Sequence, residues 1–446
     1  MSSQTRRGLR RFLAGLRLLF LYLLFCWLVL VVSLALRAAQ EARPAPKSPA
    51  QRIHFAQAAP ASFSGVTVEL EQYTTSQARR NALARLEAAG FGWVRQRFDW
   101  ARLEPGPGQF DWTWSDQVLR DIQAAGLEPV IVLDGSPAWA RAPRDRAPAD
   151  NPLAPPEEPA DFARFAGAFA ARYGDQVRFY QVWDEPNIAP HWGDRLIDPV
   201  GYARLLRAAS QALRQAAPDA VVILAALAPT QDRGHTAIDE PYFLERLYAA
   251  GAAPDFDAVA VQPFGFGSAP DDPRSRLEVL TFQRTRLIRR TMLAAGDGDT
   301  PIWIARYGWN RRPNNTWRAV SPENQARFAF HVLEMAWTEW PWVVAMGWAI
   351  DAPAAPPEDP RWGFALLTPA GQATPLLEGF QAVHAELGGE KVRGEGRIGD
   401  WEMGGTEGIK GTEGTEGGEG SEGTKGTEGT EGSEGSEGSE GTKGTK

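Results

Sequence analysis

A net charge of −8 over 446 residues conceals three regions of different sign. Residues 1–37 hold six arginines and no acid, residues 401–446 hold eleven glutamates and four lysines, and the 363 residues between them carry −7. That distribution offers no broad basic face for nucleic acid, and the sole cysteine, Cys26, excludes an internal disulfide and a cysteine-based metal site.

Residues 1–17 are a basic flank, followed by nineteen uncharged residues, Leu18 to Leu36, between Arg17 and Arg37. That length suits a membrane-spanning helix, which needs roughly 20 apolar residues. A cleaved signal peptide is the alternative, since Ser33 and Ala35 are small enough for processing, but its apolar core is normally only about 7 to 15 residues long. Five arginines precede the run and Arg37, Arg43 and Lys47 follow it, which favours a cytoplasmic N-terminus and an extracytoplasmic body at the cell membrane, single-pass. Pro44, Pro46, Pro49 and Pro60 make residues 37–60 a semi-extended stalk.

From Ser62 onward, short β-rich runs alternate with longer segments of helical period. The expected strands are Gly65 to Leu70, Trp93 to Phe98, Glu128 to Leu133, Val177 to Trp183, Val221 to Ala226, Ala258 to Gln262, Ile302 to Ala305 and Val343 to Trp348. Expected helices include Ser76 to Ala89, Ala160 to Tyr173, Val200 to Ala216, Arg274 to Ala295 and Pro322 to Glu339. Eight strand and helix repeats over residues 61–388 predict an α/β fold of the (β/α)8 TIM-barrel kind. A doubly wound open sheet is disfavoured, because neither G-x-G-x-x-G nor G-x-x-x-x-G-K-[ST] occurs in the body. The tail, residues 389–446, repeats glycine at every third position from Gly405 to Gly444 without proline, and with little to bury it is expected to be disordered.

Chemistry in such a barrel sits at the C-terminal ends of the strands. The fourth strand ends in Trp183-Asp184-Glu185-Pro186-Asn187, followed by His191-Trp192, and Glu185 is placed where partial desolvation suits general-acid work. Taken alone, an Asp-Glu pair before proline is more commonly a solvated loop start or helix cap. Trp100, Trp139, Trp192, Trp309 and Trp348 cluster at other strand ends, where flat rings suit sugar faces, while Trp93, Trp303, Trp337 and Trp340 are expected to pack between barrel and helices. The five histidines have no ligand spacing, so neither metal nor cofactor is expected. The absence of G-x-S-x-G removes support for serine-based acyl transfer.

These strand ends resemble the clan of retaining glycoside hydrolases with (β/α)8 barrels, the cellulase-like and xylosidase-like families, over roughly Ser62 to Leu387. The fourth-strand pentapeptide resembles the clan's Trp-Asn-Glu-Pro-Asn, which implies Glu185 as acid/base. Arg97 matches the second-strand arginine and Trp348 the eighth-strand tryptophan that floors the sugar site. The resemblance further implies substrate contacts at Asp184, Gln262 and Phe264 and an oligo- or polysaccharide partner, and the strand-end rings Trp139, Trp192 and Trp309 join them as candidate substrate contacts. Asp184 stands where the clan has asparagine, and Gln262 and Phe264 stand where it has histidine and tyrosine. At the seventh strand the clan has Thr-Glu before an aromatic-Gly-Trp, whereas this chain reads Ala305-Arg306-Tyr307-Gly308-Trp309, so the expected nucleophile is an arginine.

Retaining hydrolysis needs two carboxyls about 5 to 5.5 Å apart. A guanidinium cannot attack, and Arg306 should form a salt bridge with Glu185 that holds it ionised. An inverting mechanism would need a second carboxylate about 6.5 to 9.5 Å away, for which Asp184, Asp134, Asp351 and Glu69 are the available suppliers. Two functions therefore stand: a membrane-anchored glycan hydrolase with Glu185 as acid/base, or a catalytically silent carbohydrate-binding or cell-surface scaffold. A third keeps the barrel as a purely structural part of an envelope complex.

Overall fold

The computed structural model describes residues 59–146 and 151–386, together with Leu24, Phe25, Trp27 and Val31. The expected anchor at Leu18 to Leu36, apart from those four residues, the stalk up to residue 58 and the tail lie outside the described residues. Among the described residues no helix is long and apolar enough to cross a membrane.

Eight parallel strands form the sheet: β1 (Ser64–Val68), β2 (Trp93–Asp99), β3 (Glu128–Asp134), β4 (Phe179–Val182), β5 (Val221–Ile223), β6 (Val259–Val261), β7 (Ile302–Tyr307) and β8 (Val343–Trp348). Their order is β5-β4-β3-β2-β1-β8-β7-β6, and parallel bridges Ile223↔Ala258 and Leu227↔Val261 join β5 to β6 and close the ring. The principal helices are α1 (Ser76–Ala88), α2 (Thr113–Ala124), α3 (Pro159–Tyr173), α4 (Pro199–Ala216), α5 (Glu240–Ala249), α6 (Thr285–Ala294), α7 (Pro322–Glu339) and α8 (Pro375–Glu386). The chain is thus a (β/α)8 barrel.

Period-two alternation along the strands sorts the apolar residues into two bodies. One set, with Val66, Val94, Ile131, Val182, Val222, Ile304 and Trp348, faces the helices. The other fills the barrel's interior: Trp93, Val130, Phe179, Val221, Ala258, Ala260, Trp303 and Ala345. Trp303 plugs this layer, with its ring 5.3 Å from Trp93 and 5.0 Å from Phe179. Small residues make room for these rings. A Cβ added at Gly65 would lie 2.0 Å from Trp93 Cδ2.

Of the two register shifts between β7 and β8, the second matters most for the site. Ile304 pairs with Met346 and Tyr307 with Trp348, so Ala305 and Arg306 together oppose the single residue Gly347. Such a bulge, uncommon between parallel strands, reverses the face of the residues after it. Trp303 and Ala305 point into the barrel, and simple alternation would send Tyr307 inward and Arg306 toward the helices. Instead Tyr307 joins the outer core against Trp348, with ring centroids 5.2 Å apart, and Arg306 turns into the mouth.

Gly347 leaves space for that bulge. Its added Cβ would lie 2.5 Å from the Ala305 carbonyl oxygen and 2.7 Å from Trp93 Cη2. Gly347→Ala should therefore destabilise the protein by about 1–3 kcal/mol, the range for overpacking. A chemical denaturation midpoint equal to that of the native protein would refute this.

Some elements differ from expectation. The helix expected from Arg274 to Ala295 begins only at Thr285. Arg284 donates to the carbonyls of Arg276, Leu277 and Val279, so a side chain takes the place of the helical N–H groups that would otherwise satisfy them. The fourth strand starts at Phe179 rather than Val177, whose N–H instead donates to Tyr173 O at the end of α3.

Candidate active site

The C-terminal ends of β2, β3, β4, β6 and β7 bring together a cluster of carboxylates and guanidiniums. The chain leaves β4 through two non-glycine residues in the left-handed region, Trp183 (φ 70°) and Glu185 (φ 51°). Such residues cost of order 1–3 kcal/mol each and persist only where their surroundings over-determine them. Here the surroundings do so. Trp183 Nε1 donates to His191 O at 2.8 Å, the Glu185 N–H donates to Ala226 O at 3.1 Å, and Asn187 donates to Ala228 O and Ile238 O.

Arg306 is the hub. Its Nη2 lies 2.7 Å from Glu185 Oε1 and 3.0 Å from Asp184 Oδ2. Glu185 Oε1 also accepts from Gln262 Nε2 at 3.0 Å, and Glu185 Oε2 lies 3.2 Å from His191 Nε2. Both oxygens of the expected acid/base thus face nitrogen groups, and the salt bridge read from sequence is present. Asp184 is gripped from its other side by Arg95, whose Nη2 is 2.8 Å from Oδ1, and Gln181 Nε2 donates to the same oxygen at 2.9 Å.

Arg95, only 4% exposed, lies inside the barrel, where an unpaired guanidinium would be prohibitively costly. Asp184 and Gln181 Oε1 compensate it. Two carboxylates and two guanidiniums therefore form a near-neutral block. Burial alone would raise the pKa of Asp184, but the guanidiniums of Arg95 and Arg306 outweigh it and bring it down to about 2. Arg306 itself resists the downward pull of burial, because Asp184 and Glu185 raise its pKa.

A carboxylate depressed in the folded state contributes stability above its unfolded value near 3.8, and this is lost as pH falls toward 2. Asp134 and Asp351, both pushed up by burial, act in the opposite sense. The difference between the native protein and Asp184→Asn isolates the effect: the native advantage should shrink progressively from pH 4 to pH 2 in equilibrium denaturation. An advantage that does not change with pH would refute the assignment.

The other suppliers of a second carboxylate are also engaged. Asp134 pairs with Arg97, Glu69 with Arg361 at 2.9 Å, and Asp351 with Arg85 at 2.9 Å. Arg97 keeps 42% of its side chain exposed at the mouth, and Asp134 raises its pKa. Glu71, which sequence reasoning did not single out, differs from these. It accepts from Gln96 Nε2 at 3.1 Å and makes no ion pair with any described residue, and desolvation raises its pKa. Arg95 and Gln181 were also missed. The available signal was parity, since Arg95 lies two residues from Arg97 in one strand and so shares its face.

The aromatic expectations need revision. Trp309 and Trp348 are fully buried, with indole N–H groups donating to Ser268 O and Phe364 O, and Trp192 is buried against Trp183 and Tyr202. None presents an open face to a sugar. Tryptophan's large apolar area draws it into the core unless its surroundings hold it out. Trp100 is likewise buried, donating to Glu104 Oε2 at 2.6 Å. Trp139 and Phe264 are the sequence-predicted rings that remain half-exposed. Trp139 Nε1 donates to Glu104 O at 3.1 Å, and the Phe264 N–H donates to Gln262 O. Among the described residues no group of acidic, histidine or cysteine side chains is arranged to hold a metal.

Comparison with known proteins agrees with this fold. Residues 69–142 match the model of the beta-galactosidase family of glycoside hydrolases, family 42. That stretch contains Arg97, Asp134 and Trp139 and stops short of Glu185 and Arg306. A 48-residue stretch is 44% identical to beta-galactosidase BgaA of Thermus sp., covering 10% of this chain and 7% of that protein.

Among solved structures, a family 39 glycoside hydrolase from Bacteroides cellulosilyticus WH2 is similar with a TM-score of 0.56 and 18% identity, covering 74% of this chain and 65% of that one. A monomeric beta-xylosidase from Caulobacter crescentus CB15 gives 0.54 and 19%, covering 74% and 69%. A GH5_18 protein from Bifidobacterium longum subsp. infantis gives 0.55 and 15%, covering 73% and 79%. The chain thus spans a small fraction of its curated relative and about two thirds of the first of these structures. The structural likenesses show the fold, and with the family match they support a member of the (β/α)8-barrel glycoside hydrolase clan.

Proposed function

We propose that this protein is a glycosidase-like barrel that binds an oligo- or polysaccharide at its mouth without hydrolysing it. One observation carries the reading: Arg306, which stands where the sequence resemblance expects the nucleophile, is salt-bridged to both Asp184 and Glu185. A guanidinium supplies no nucleophile, and both oxygens of Glu185 are already engaged, by Arg306, Gln262 and His191. The apolar run Leu18 to Leu36 supports anchorage in the cell membrane with the barrel outside it.

The second reading is hydrolysis with a substitute carboxylate, and Glu71 favours it, as a carboxylate after β1 that makes no ion pair with any described residue. Assay of the full-length protein on aryl glycosides and oligosaccharides, beside Glu185→Gln, Glu71→Gln and Arg306→Glu, separates the two. The proposal expects no turnover by the native protein. Turnover that Glu185→Gln or Glu71→Gln abolishes would overturn it.

A further inference from the structure

Beyond Glu185 the mouth continues as an aromatic wall carried by the loops after β6, β7 and β8. Phe264 packs 5.3 Å from Phe364 and 6.3 Å from Phe266, and Trp317 packs 5.3 Å from Phe364 on the other side. Phe264, Phe266 and Trp317 are half-exposed, whereas Phe364 is buried beneath them.

The wall is held rigidly and at a cost. Phe266 (φ 47°) and Arg318 (φ 53°), the residue after Trp317, are both non-glycine residues in the left-handed region. Their loops meet closely, since a Cβ added at Gly267 would lie 3.2 Å from Arg318 Cβ. The buried ring of Trp309 lies directly under Gly265, where a Cβ would come within 1.8 Å of its Nε1, and that Nε1 donates to Ser268 O at 2.7 Å. Trp309 is therefore the support of the platform that carries Phe266. Backbone strain kept in two touching loops, with apolar rings left partly in water, points to function rather than to packing.

We propose that Phe264, Phe266 and Trp317 form a second sugar subsite, which stacks the apolar face of a pyranose unit next to the one at Glu185, so that the ligand is an oligosaccharide rather than a monosaccharide. The wall begins beside the charged cluster, because the Phe264 N–H donates to Gln262 O and Gln262 donates to Glu185. A chain of sugars leaving the cluster would run directly onto the rings. Rigid aromatic surfaces lose little entropy on binding and favour flat apolar faces. This inference rests on the glycan-binding reading above.

The test is calorimetric titration of the full-length protein with glucose, cellobiose and cellotetraose and with xylose, xylobiose and xylotetraose, repeated for Phe266→Ala and Trp317→Ala. In at least one series affinity should rise from monosaccharide to oligosaccharide, and each alanine variant should lose about tenfold toward the oligosaccharide while leaving the monosaccharide unchanged. Phe266→Tyr and Trp317→Phe should retain binding, which separates a lost ring face from a disturbed fold. Oligosaccharide binding that both alanine variants preserve, or equal affinity for all chain lengths, would overturn the wall and leave the glycan-binding reading intact. No heat with any probe would count against both.

Discussion

Arg306→Ala should lower the free energy of unfolding by about 2–3 kcal/mol, although the residue lies in a mouth rather than a core. Removing one partner of a buried ion pair costs about 3–5 kcal/mol, and the 23% of the Arg306 side chain that stays exposed brings the expectation to the lower figure. The cost arises because Asp184 and Glu185 would then share a single buried cation, Arg95, which reaches only Asp184. Asp184→Asn alone should also destabilise, since it leaves two guanidiniums facing a neutral amide. Combining the two changes restores the balance of charge. The double variant should therefore be more stable than the sum of the single effects predicts by about 1 kcal/mol or more. Urea denaturation of the four proteins measures this, and additivity within error would show that Arg306 and Asp184 do not act as a unit.

Trp303→Ala should cost about 3–5 kcal/mol, the range for removing a large buried ring. Trp303 is 1% exposed and fills the barrel's interior against Trp93 and Phe179. Its neighbours Ala305, Ala345 and Ala260 are too small to close over the space. Trp303→Phe is the informative companion. The indole Nε1 of Trp303 is buried without a hydrogen-bond partner among the described residues, and such an orphan donor costs about 1–3 kcal/mol. Phenylalanine keeps most of the ring contact and removes the donor, so its loss should stay below about 1.5 kcal/mol. If the alanine variant melted within a degree of the native protein, the barrel floor would have to be held by something other than this ring.

Much of this was legible beforehand, because strand ends in a barrel are forced to converge. Glu185 and Arg306 are 121 residues apart in sequence, yet eightfold repetition put both at one rim, and their salt bridge followed from charge alone. The aromatic residues were harder. Composition shows that Trp309 and Trp348 are large and lie at strand ends, but burial depends on which neighbours cover them, here Ser268 and Phe364 from other loops. The left-handed turns at Trp183 and Glu185 were hidden for a different reason, since φ is set by the hydrogen bonds of Asn187 and His191 and neither residue type advertises it. Glu71 escaped notice because a surface glutamate after a strand carries no pattern until Gln96 is seen beneath it.

The bulge at Ala305 and Arg306 carries a consequence for how this site tolerates insertions and deletions. Residues on either side of it obey opposite parities, so the side chain offered at the mouth depends on a count as well as on an identity. Deleting Arg306 would restore simple alternation, with Ile304 out, Ala305 in and Tyr307 still out against Trp348, so the mouth would lose its guanidinium while the strand kept its pairing. A one-codon change in length would thus remove a fixed positive charge from the mouth while leaving Tyr307 in the outer core, altering the electrostatics of the mouth as much as a point mutation of Arg306 itself.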